Sequence, residues 1–394
     1  MRSDVRSHIA LPVIILAQLL GTSLWFSVNG VWLNLSSEQG LSEADLGALT
    51  LAVQLGFIVG TLFLALTGLA DRYKASAIFC LSSLLGASVN ALFIVAVDHF
   101  SLAWFLRLLT GLCLAGIYPM GMKLVISWVP KYAGSALSWL LAMLTLGTAL
   151  PHLMRGFTLG LDWHIPLFSA SMLAVLGGIA VGLLGSGPHL PATAKPAALS
   201  QGLSALKQPQ FRAVAGGYFG HCWELYAFWM LVPLLLLAPV SELGWSLSSI
   251  PWLSFSLIGV GALGCICGGW LSKKHGGMSV ARLALITSGA MCLLYPFMTE
   301  LPPWVALLTL TLWGISVIAD SPQFSALAAQ EAPADKVGSA LAVMNSVGFA
   351  LTIPAIGLVS WSWPFLNEWV AWLLLPGPVL GLWTMRKFDK ISTN

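Results

Sequence analysis

Two stretches of this chain repeat one another about half its length apart, and that repetition restricts the fold more than any other feature. Pro119 is followed after ten residues by Pro130 and, after three more, by Gly134-Ser135-Ala136-Leu137. Pro322 is followed after ten residues by Pro333 and, after four more, by Gly338-Ser339-Ala340-Leu341. The offset is 203 to 204 in a chain of 394 residues. Both copies require related halves, and in an apolar chain such duplication is the pattern of transporters that hold a substrate where two halves meet.

The chain is apolar enough for that reading. With 58% hydrophobic and 8% charged residues and a mean hydropathy of +0.87, it has too few polar groups to coat a soluble protein of its size. Backbone amides in lipid must be satisfied within a helix or a closed barrel, and long apolar runs without polar alternation favour helices. The expected fold is an all-α membrane protein of twelve transmembrane helices in two six-helix pseudo-symmetric halves. Spans are predicted at 9–33, 44–70, 75–97, 102–126, 134–158, 164–185, 211–238, 249–271, 278–298, 304–328, 338–360 and 367–385. Residues 186–209 carry Pro188, Pro191, Pro196 and Pro209 with Lys195 and Lys207. They read as a linker between an N-terminal half, 1–185, and a C-terminal half, 210–394.

Loop charges orient the spans. Arg2, Arg6, Arg72, Lys74, Lys131, Lys195, Lys207, Arg212, Lys273, Lys274, Arg282, Lys336, Arg386, Lys387 and Lys390 fall on one side if the spans alternate. The opposite loops hold Glu38, Glu43, Asp45, Asp98, Asp162, Glu242, Glu300 and Glu368. Excess Lys and Arg mark the cytoplasmic side, so both termini and the linker are expected there, and a chain with so little beyond its spans suits a bacterial inner membrane. The net charge of +3 is a topology signal spread over short loops, and nucleic-acid binding is excluded. No small-residue cleavage site follows the first apolar run, which reads as a retained span.

Six cysteines, at positions 80, 113, 222, 265, 267 and 292, fall inside predicted spans, and Cys265-x-Cys267 lacks zinc spacing. They read as buried free thiols, and neither metal nor cofactor is expected. Among the 18 tryptophans many sit near span ends, as interfacial belts require, while Trp25, Trp223, Trp229 and Trp313 lie deeper.

The loop after the second span, Thr67-Gly68-Leu69-Ala70-Asp71-Arg72-Tyr73-Lys74, and the loop after the eighth, Gly269-Trp270-Leu271-Ser272-Lys273-Lys274-His275-Gly276, resemble the paired signature Gly-x-Leu-Ala-Asp-Arg-x-Gly-Arg of the major facilitator superfamily. The first copy keeps Leu-Ala-Asp-Arg but shifts the glycines; the second keeps the glycines and has Lys273 where the family often has Asp. The resemblance covers the whole chain through its six-plus-six arrangement. It implies that Asp71 and Arg72, with Lys273 and Lys274, belong to a gate; the plainer alternative is that they only fix topology. The fourth span, with Arg107, Gly111, Ala115, Gly116 and then Tyr118-Pro119, is similar to the family's arginine-bearing helix with spaced small residues. Its glycines permit close helix packing, and Arg107 needs a partner or a wet cavity.

Halves that share structure make a charge found in only one of them a functional candidate. None of Arg107, Lys123, His152, Arg155, His221, Glu224 and Asp320 has a charged counterpart at the repeat offset. His221 and Glu224, three apart, share a helix face in the seventh span, beside Trp223 and Tyr226. Burial disfavours the ionised form of a carboxyl, which brings proton loading and release at Glu224 within reach; the alternative is a structural pair with His221 or a basic residue. Asp320, beside Ser321-Pro322, either lines a bend or caps it. Arg155 either snorkels to the headgroups or contacts substrate, and His152 after Pro151 is either packing or a ligand. Trp25 and Tyr118 complete the expected binding set.

Motifs for membrane enzymes are absent from the sequence. The expected activity is secondary active transport of a small molecule, without nucleotide hydrolysis, by a lipid-embedded monomer coupled to protons. Arg107, Lys123 and Arg155 against Glu224 and Asp320 lean toward an organic anion. The aromatic seventh span, with Trp223, Tyr226, Phe228 and Trp229, suits instead a proton-driven exporter of drug-like compounds. A non-transporting membrane sensor is the third alternative.

Overall fold

The structure is a computed structural model that describes residues 2–189, 199–333 and 337–392. The chain forms two compact units, Met1–Pro196 and Ala197–Asn394. The first contains α1 (Arg2–Thr22), α2 (Ser27–Gly30), α3 (Trp32–Gln39), α4 (Glu43–Thr67), α5 (Leu69–Arg72), α6 (Ala75–Ala96), α7 (Phe100–Leu114), α8 (Tyr118–Trp128), α9 (Ala133–Phe157) and α10 (His164–Leu184). The second contains α11 (Leu199–Ala205), α12 (Pro209–Leu235), α13 (Leu237–Glu242), α14 (Ile250–Gly259), α15 (Gly261–His275), α16 (Gly277–Met298), α17 (Pro303–Ala319), α18 (Ser321–Glu331), α19 (Val337–Leu366) and α20 (Pro376–Ser392). Among the described residues there is no strand.

Among the described residues ten segments are long and apolar enough to cross a membrane. The last, Val337–Arg386, contains the two final predicted spans, and the shorter apolar helix Ile9–Thr22 carries the start of the first. The protein is thus an all-helical, multi-pass membrane protein, consistent with twelve spanning helices. Several boundaries differ from expectation, among them those of the first and eleventh spans. The span predicted over 9–33 is interrupted at residues 23–26, between α1 and α2, and the eleventh span runs on to Leu366, where Asn367 turns the chain with a φ of 46°. Within the predicted linker, α11 packs on α19; positions 190–198, including Pro191, Lys195 and Pro196, lie outside the described residues.

The duplicated motif now has a structural meaning. α7 and α8 together span Phe100–Trp128, and α17 and α18 together span Pro303–Glu331, both 29 residues. Pro119 and Pro322 each open the second piece, in the first helical turn, where a missing N–H leaves no intrahelical bond unmade. The same break is therefore written into both units by proline.

Lipid offers apolar helices no hydrophobic reason to associate, so close backbone approach must hold them. In the first unit α4 packs on α7, and a methyl on Gly56 or Gly111 would overlap the carbonyl oxygen of Leu108 or Val53. In the second, α14 and α15 repeat the device against α17: Gly264 of α15 lies against the Ile315 carbonyl and Gly314 of α17 against that of Leu257 in α14. Leu55, Val59, Phe63 and Leu66 of α4 point outward while Thr50, Gln54 and Phe57 are buried, so the polar face is the inner one, as lipid requires. At the start of α4 the Ser42 hydroxyl accepts from the Asp45 amide, and the Asp45 carboxylate accepts from the Ser42 amide at 2.8 Å. At its end Gly68, with φ 67°, adopts the left-handed cap that only glycine takes without strain.

Candidate functional site

Each unit encloses a polar cluster built by three helices. In the second unit Glu224 projects from the middle of α12 toward α16 and α17. Its Oε2 accepts from Ser288 Oγ at 2.9 Å; its Oε1 accepts from Trp313 Nε1 at 2.6 Å and from Cys292 Sγ at 3.2 Å. Ser288 and Cys292 are four residues apart, on one face of α16. All four side chains are buried, Glu224 being 1% exposed. Among the described residues no cation is paired with this carboxyl.

One turn earlier, His221 Nδ1 lies 2.7 Å from Asp320 Oδ1, both buried. Asp320 sits at the break between α17 and α18 but makes no capping hydrogen bond to α18. Tyr218 and Phe324 flank the imidazole, with ring centroids at 5.9 and 6.1 Å. His221 and Glu224 thus share a helix face but meet different partners, and neither bonds the other. Tyr226 packs on Trp229 and Phe349. Trp223 turns away from both acids: its Nε1 donates to the Leu373 carbonyl at 2.9 Å, and its ring lines an apolar cleft of about 350 Å³ with Phe219, Leu351 and Leu380.

In the first unit the centre is Arg107 of α7, fully buried. Its Nη1 donates to Ser27 Oγ at 3.0 Å, Asn90 Oδ1 at 3.1 Å and the Leu24 carbonyl at 3.3 Å, and its Nη2 to the Trp25 carbonyl at 2.6 Å. Leu24 and Trp25 lie in the interruption between α1 and α2, whose carbonyls no helix satisfies. The guanidinium fork therefore holds that break open. Asn90 is itself pinned: its amide donates to Ser171 Oγ at 3.0 Å and to the Leu167 carbonyl at 3.2 Å.

The remaining first-unit candidates are spread out. Lys123 Nζ donates to the Ala70 carbonyl, and Arg155 Nη1 to the carbonyls of Leu161 at 2.9 Å and Thr158 at 3.3 Å. His152 is buried with Nε2 lacking a hydrogen-bond partner among the described residues. Trp25 packs on Phe57 at 4.8 Å, and Phe57 stacks on Tyr118 at 6.4 Å. Of the gate residues, Arg72, Lys273 and Lys274 are exposed, the lysines in the last turn of α15, where positive charge suits the helix end. Asp71 falls in α5 and its side chain lies outside the described residues.

Sequence reasoning passes over Ser27, Asn90, Phe57, Ser288 and Cys292 as site residues. A filter for unpaired charge finds Arg107 and Glu224 but not the neutral groups that hold them. Applying the repeat to helices instead of charges points to α6, α7, α16 and α17, because Asn90 and Arg107 already mark the first two as polar inside lipid. Among the described residues no group of three His, Cys, Asp or Glu side chains is arranged to hold a metal ion.

The sequence profile of the Major Facilitator Superfamily matches residues 14–357. No curated protein matches the chain by sequence. The crystal structure of a mutant of the nucleoside transporter NupG superposes with a TM-score of 0.72 at 13% identity, covering 96% of this chain and 100% of that one. A bacterial homolog of the human lysosomal transporter Spinster, in an inward-facing and unoccupied conformation, superposes with a TM-score of 0.67 at 14% identity, covering 98% and 96%. At these identities the two structures share the fold with this chain.

Proposed function

The chain belongs to the Major Facilitator Superfamily and is a membrane transporter of small molecules, not an enzyme, and on that premise we propose that it moves its cargo by alternating access together with protons carried by Glu224. The observation that supports coupling is the way this carboxyl is held. Ser288, Cys292 and Trp313 are neutral donors, and no cation among the described residues is paired with Glu224. A fixed cation would keep a buried carboxylate charged throughout a cycle; neutral partners let it exist with or without its proton. Asp320 with His221 supplies a second exchangeable group one turn away.

The organic anion expected from Arg107, Lys123 and Arg155 is less well supported than coupling itself. Each of these cations is engaged by backbone carbonyls, and an anion would have to displace those bonds. Export of an amphipathic toxic compound is the second reading, favoured by the apolar cleft beside Trp223 and Phe219. The orientation with both termini cytoplasmic rests on the loop charges; residence in a bacterial inner membrane and a monomeric state belong to the same proposal.

The test is transport by the purified protein in liposomes loaded with a pH-sensitive dye, using whichever compound of an anion, cation and neutral-metabolite panel most raises its melting temperature. Wild type should move protons with that compound. Glu224→Gln should still exchange it down a gradient while losing proton movement and accumulation. Unchanged proton movement in Glu224→Gln would remove the coupling claim.

A further inference from the structure

The first unit buries two carboxamides with nothing to bond. Gln18 of α1 and Gln54 of α4 are both 0% exposed, and neither Nε2 nor Oε1 of either has a hydrogen-bond partner among the described residues. The other buried amides of this unit are supplied. Asn29 Nδ2 donates to Thr50 Oγ1 at 3.1 Å, and Asn90 bonds Ser171, Leu167, Ser27 and Arg107. Buried polar groups are almost always paired; Ser83 Oγ, Arg107 Nε and His152 Nε2 of this unit also lack a partner among the described residues, but only Gln18 and Gln54 leave both a donor atom and an acceptor atom of one side chain unused.

The two amides border one set of rings. Gln18 Oε1 lies so close to Gly121 that a methyl there would overlap it. Tyr118, three residues before Gly121 on α8, shares its face, and its ring stacks on Phe57 with an interplanar angle of 22°. Phe57 packs on Trp25, and Gln54 stands three residues before Phe57 on the inner face of α4. Helices α1, α4 and α8 thus carry two carboxamides and two rings, with Trp25 from the break after α1, linked through Gly121, Tyr118 and Phe57, and none of these five side chains is acidic or basic.

Resting on the transporter reading above, we infer that this cluster is a cargo subsite for an uncharged heteroaromatic ring bearing a hydrogen-bond donor next to an acceptor. A carboxamide presents one edge with a donor beside an acceptor, which pairs bidentately with an N–H and adjacent nitrogen or oxygen of a heterocycle. Aromatic side chains stack on any such ring. An ion is the wrong occupant: an amide does not compensate charge, and the nearby cation, Arg107, is spent on Ser27, Asn90 and two carbonyls.

Equilibrium binding to the purified full-length protein in detergent tests this, with adenine and uridine as neutral probes, benzoate as an anion and tetraphenylphosphonium as a cation. Adenine or uridine should bind wild type, and Gln18→Leu and Gln54→Met should each weaken that binding by about tenfold or more. Because each substitution removes an unpaired buried amide, melting temperature without ligand should stay level or rise; a purely structural role would lower it. Binding unchanged in both variants, binding of the ions alone, or no binding of any probe overturns the inference. Amide-dependent binding without uptake into liposomes would instead sink the transporter reading and leave the subsite standing. Uptake of an ion indifferent to both substitutions would do the reverse.

Discussion

Arg107 and Glu224 project from non-equivalent helices, α7 and α12, into polar clusters of the two units and are held in opposite ways. Around Arg107 of α7 stand the break between α1 and α2, α2 itself and α6; around Glu224 of α12 stand α16 and α17, and the repeat offset pairs the α1–α2 segment with α12, α6 with α16 and α7 with α17. Arg107 binds carbonyls released by a break in its neighbour, and a guanidinium does not surrender its proton. Glu224 projects from an unbroken helix to neutral donors, and a carboxyl exchanges its proton readily. One scaffold is present twice with different chemistry: the first cluster holds the break between α1 and α2, and in the proposal above the second takes up and releases a proton.

The largest expected effect breaks the first cluster. Arg107→Leu leaves the Trp25 carbonyl without its donor and takes one donor each from Ser27 Oγ, Asn90 Oδ1 and the Leu24 carbonyl, while Ser27 still bonds Asn90 and Leu24; a buried acceptor left unpaired costs about 1–3 kcal/mol. Thermal unfolding in detergent should show a loss of about 3 kcal/mol or more, and Arg107→Lys should rescue little, since one ammonium cannot span the fork. Next come the packing glycines. Gly111→Ala and Gly314→Ala meet the carbonyls of Val53 and Leu257, and each should cost about 1–3 kcal/mol. Similar losses in the two would sharpen the picture of a duplicated scaffold; tolerance of one would blur it.

Smaller still is the stability effect at the second cluster. Glu224→Gln keeps the shape and most of the bonds, so melting should shift by no more than about 1 kcal/mol, although proton movement disappears. If this variant unfolds as readily as Arg107→Leu, the contrast between a pin and a switch is wrong. Trp313→Phe removes one donor at 2.6 Å and should cost about 1 kcal/mol while displacing the pH profile of transport. The least effect is expected from Cys292→Ala, at about 0.5 kcal/mol, because a thiol is a weak donor.

Much of the fold is legible in one dimension. Apolar runs of spanning length place the helices, and Pro119 and Pro322 mark the breaks that split two spans into α7 with α8 and α17 with α18. The break at residues 23–26 is not legible in that way. The run from Leu19 to Val31 has no proline and reads as continuous helix; the partner that makes the interruption tolerable is Arg107, more than 80 residues on. For the same reason unpaired charge points to Glu224, His221 and Asp320 but leaves open whether His221 serves Glu224 or Asp320. Two residues three apart share a face, yet a face is wide enough to reach two neighbouring helices.

Membrane residence, helix number, the duplicated halves and the residues with unusual charge all follow from local composition and periodicity, because lipid penalises every unpaired backbone group and every ion along each span. Partnership follows from none of these. That Trp313 bonds Glu224, that Asp320 meets His221, and that Gln18 and Gln54 find no hydrogen-bond partner among the described residues, depends on which helix faces which and at what rotation. Those are set by glycine contacts between segments far apart in the chain, and no pattern within a single span contains them.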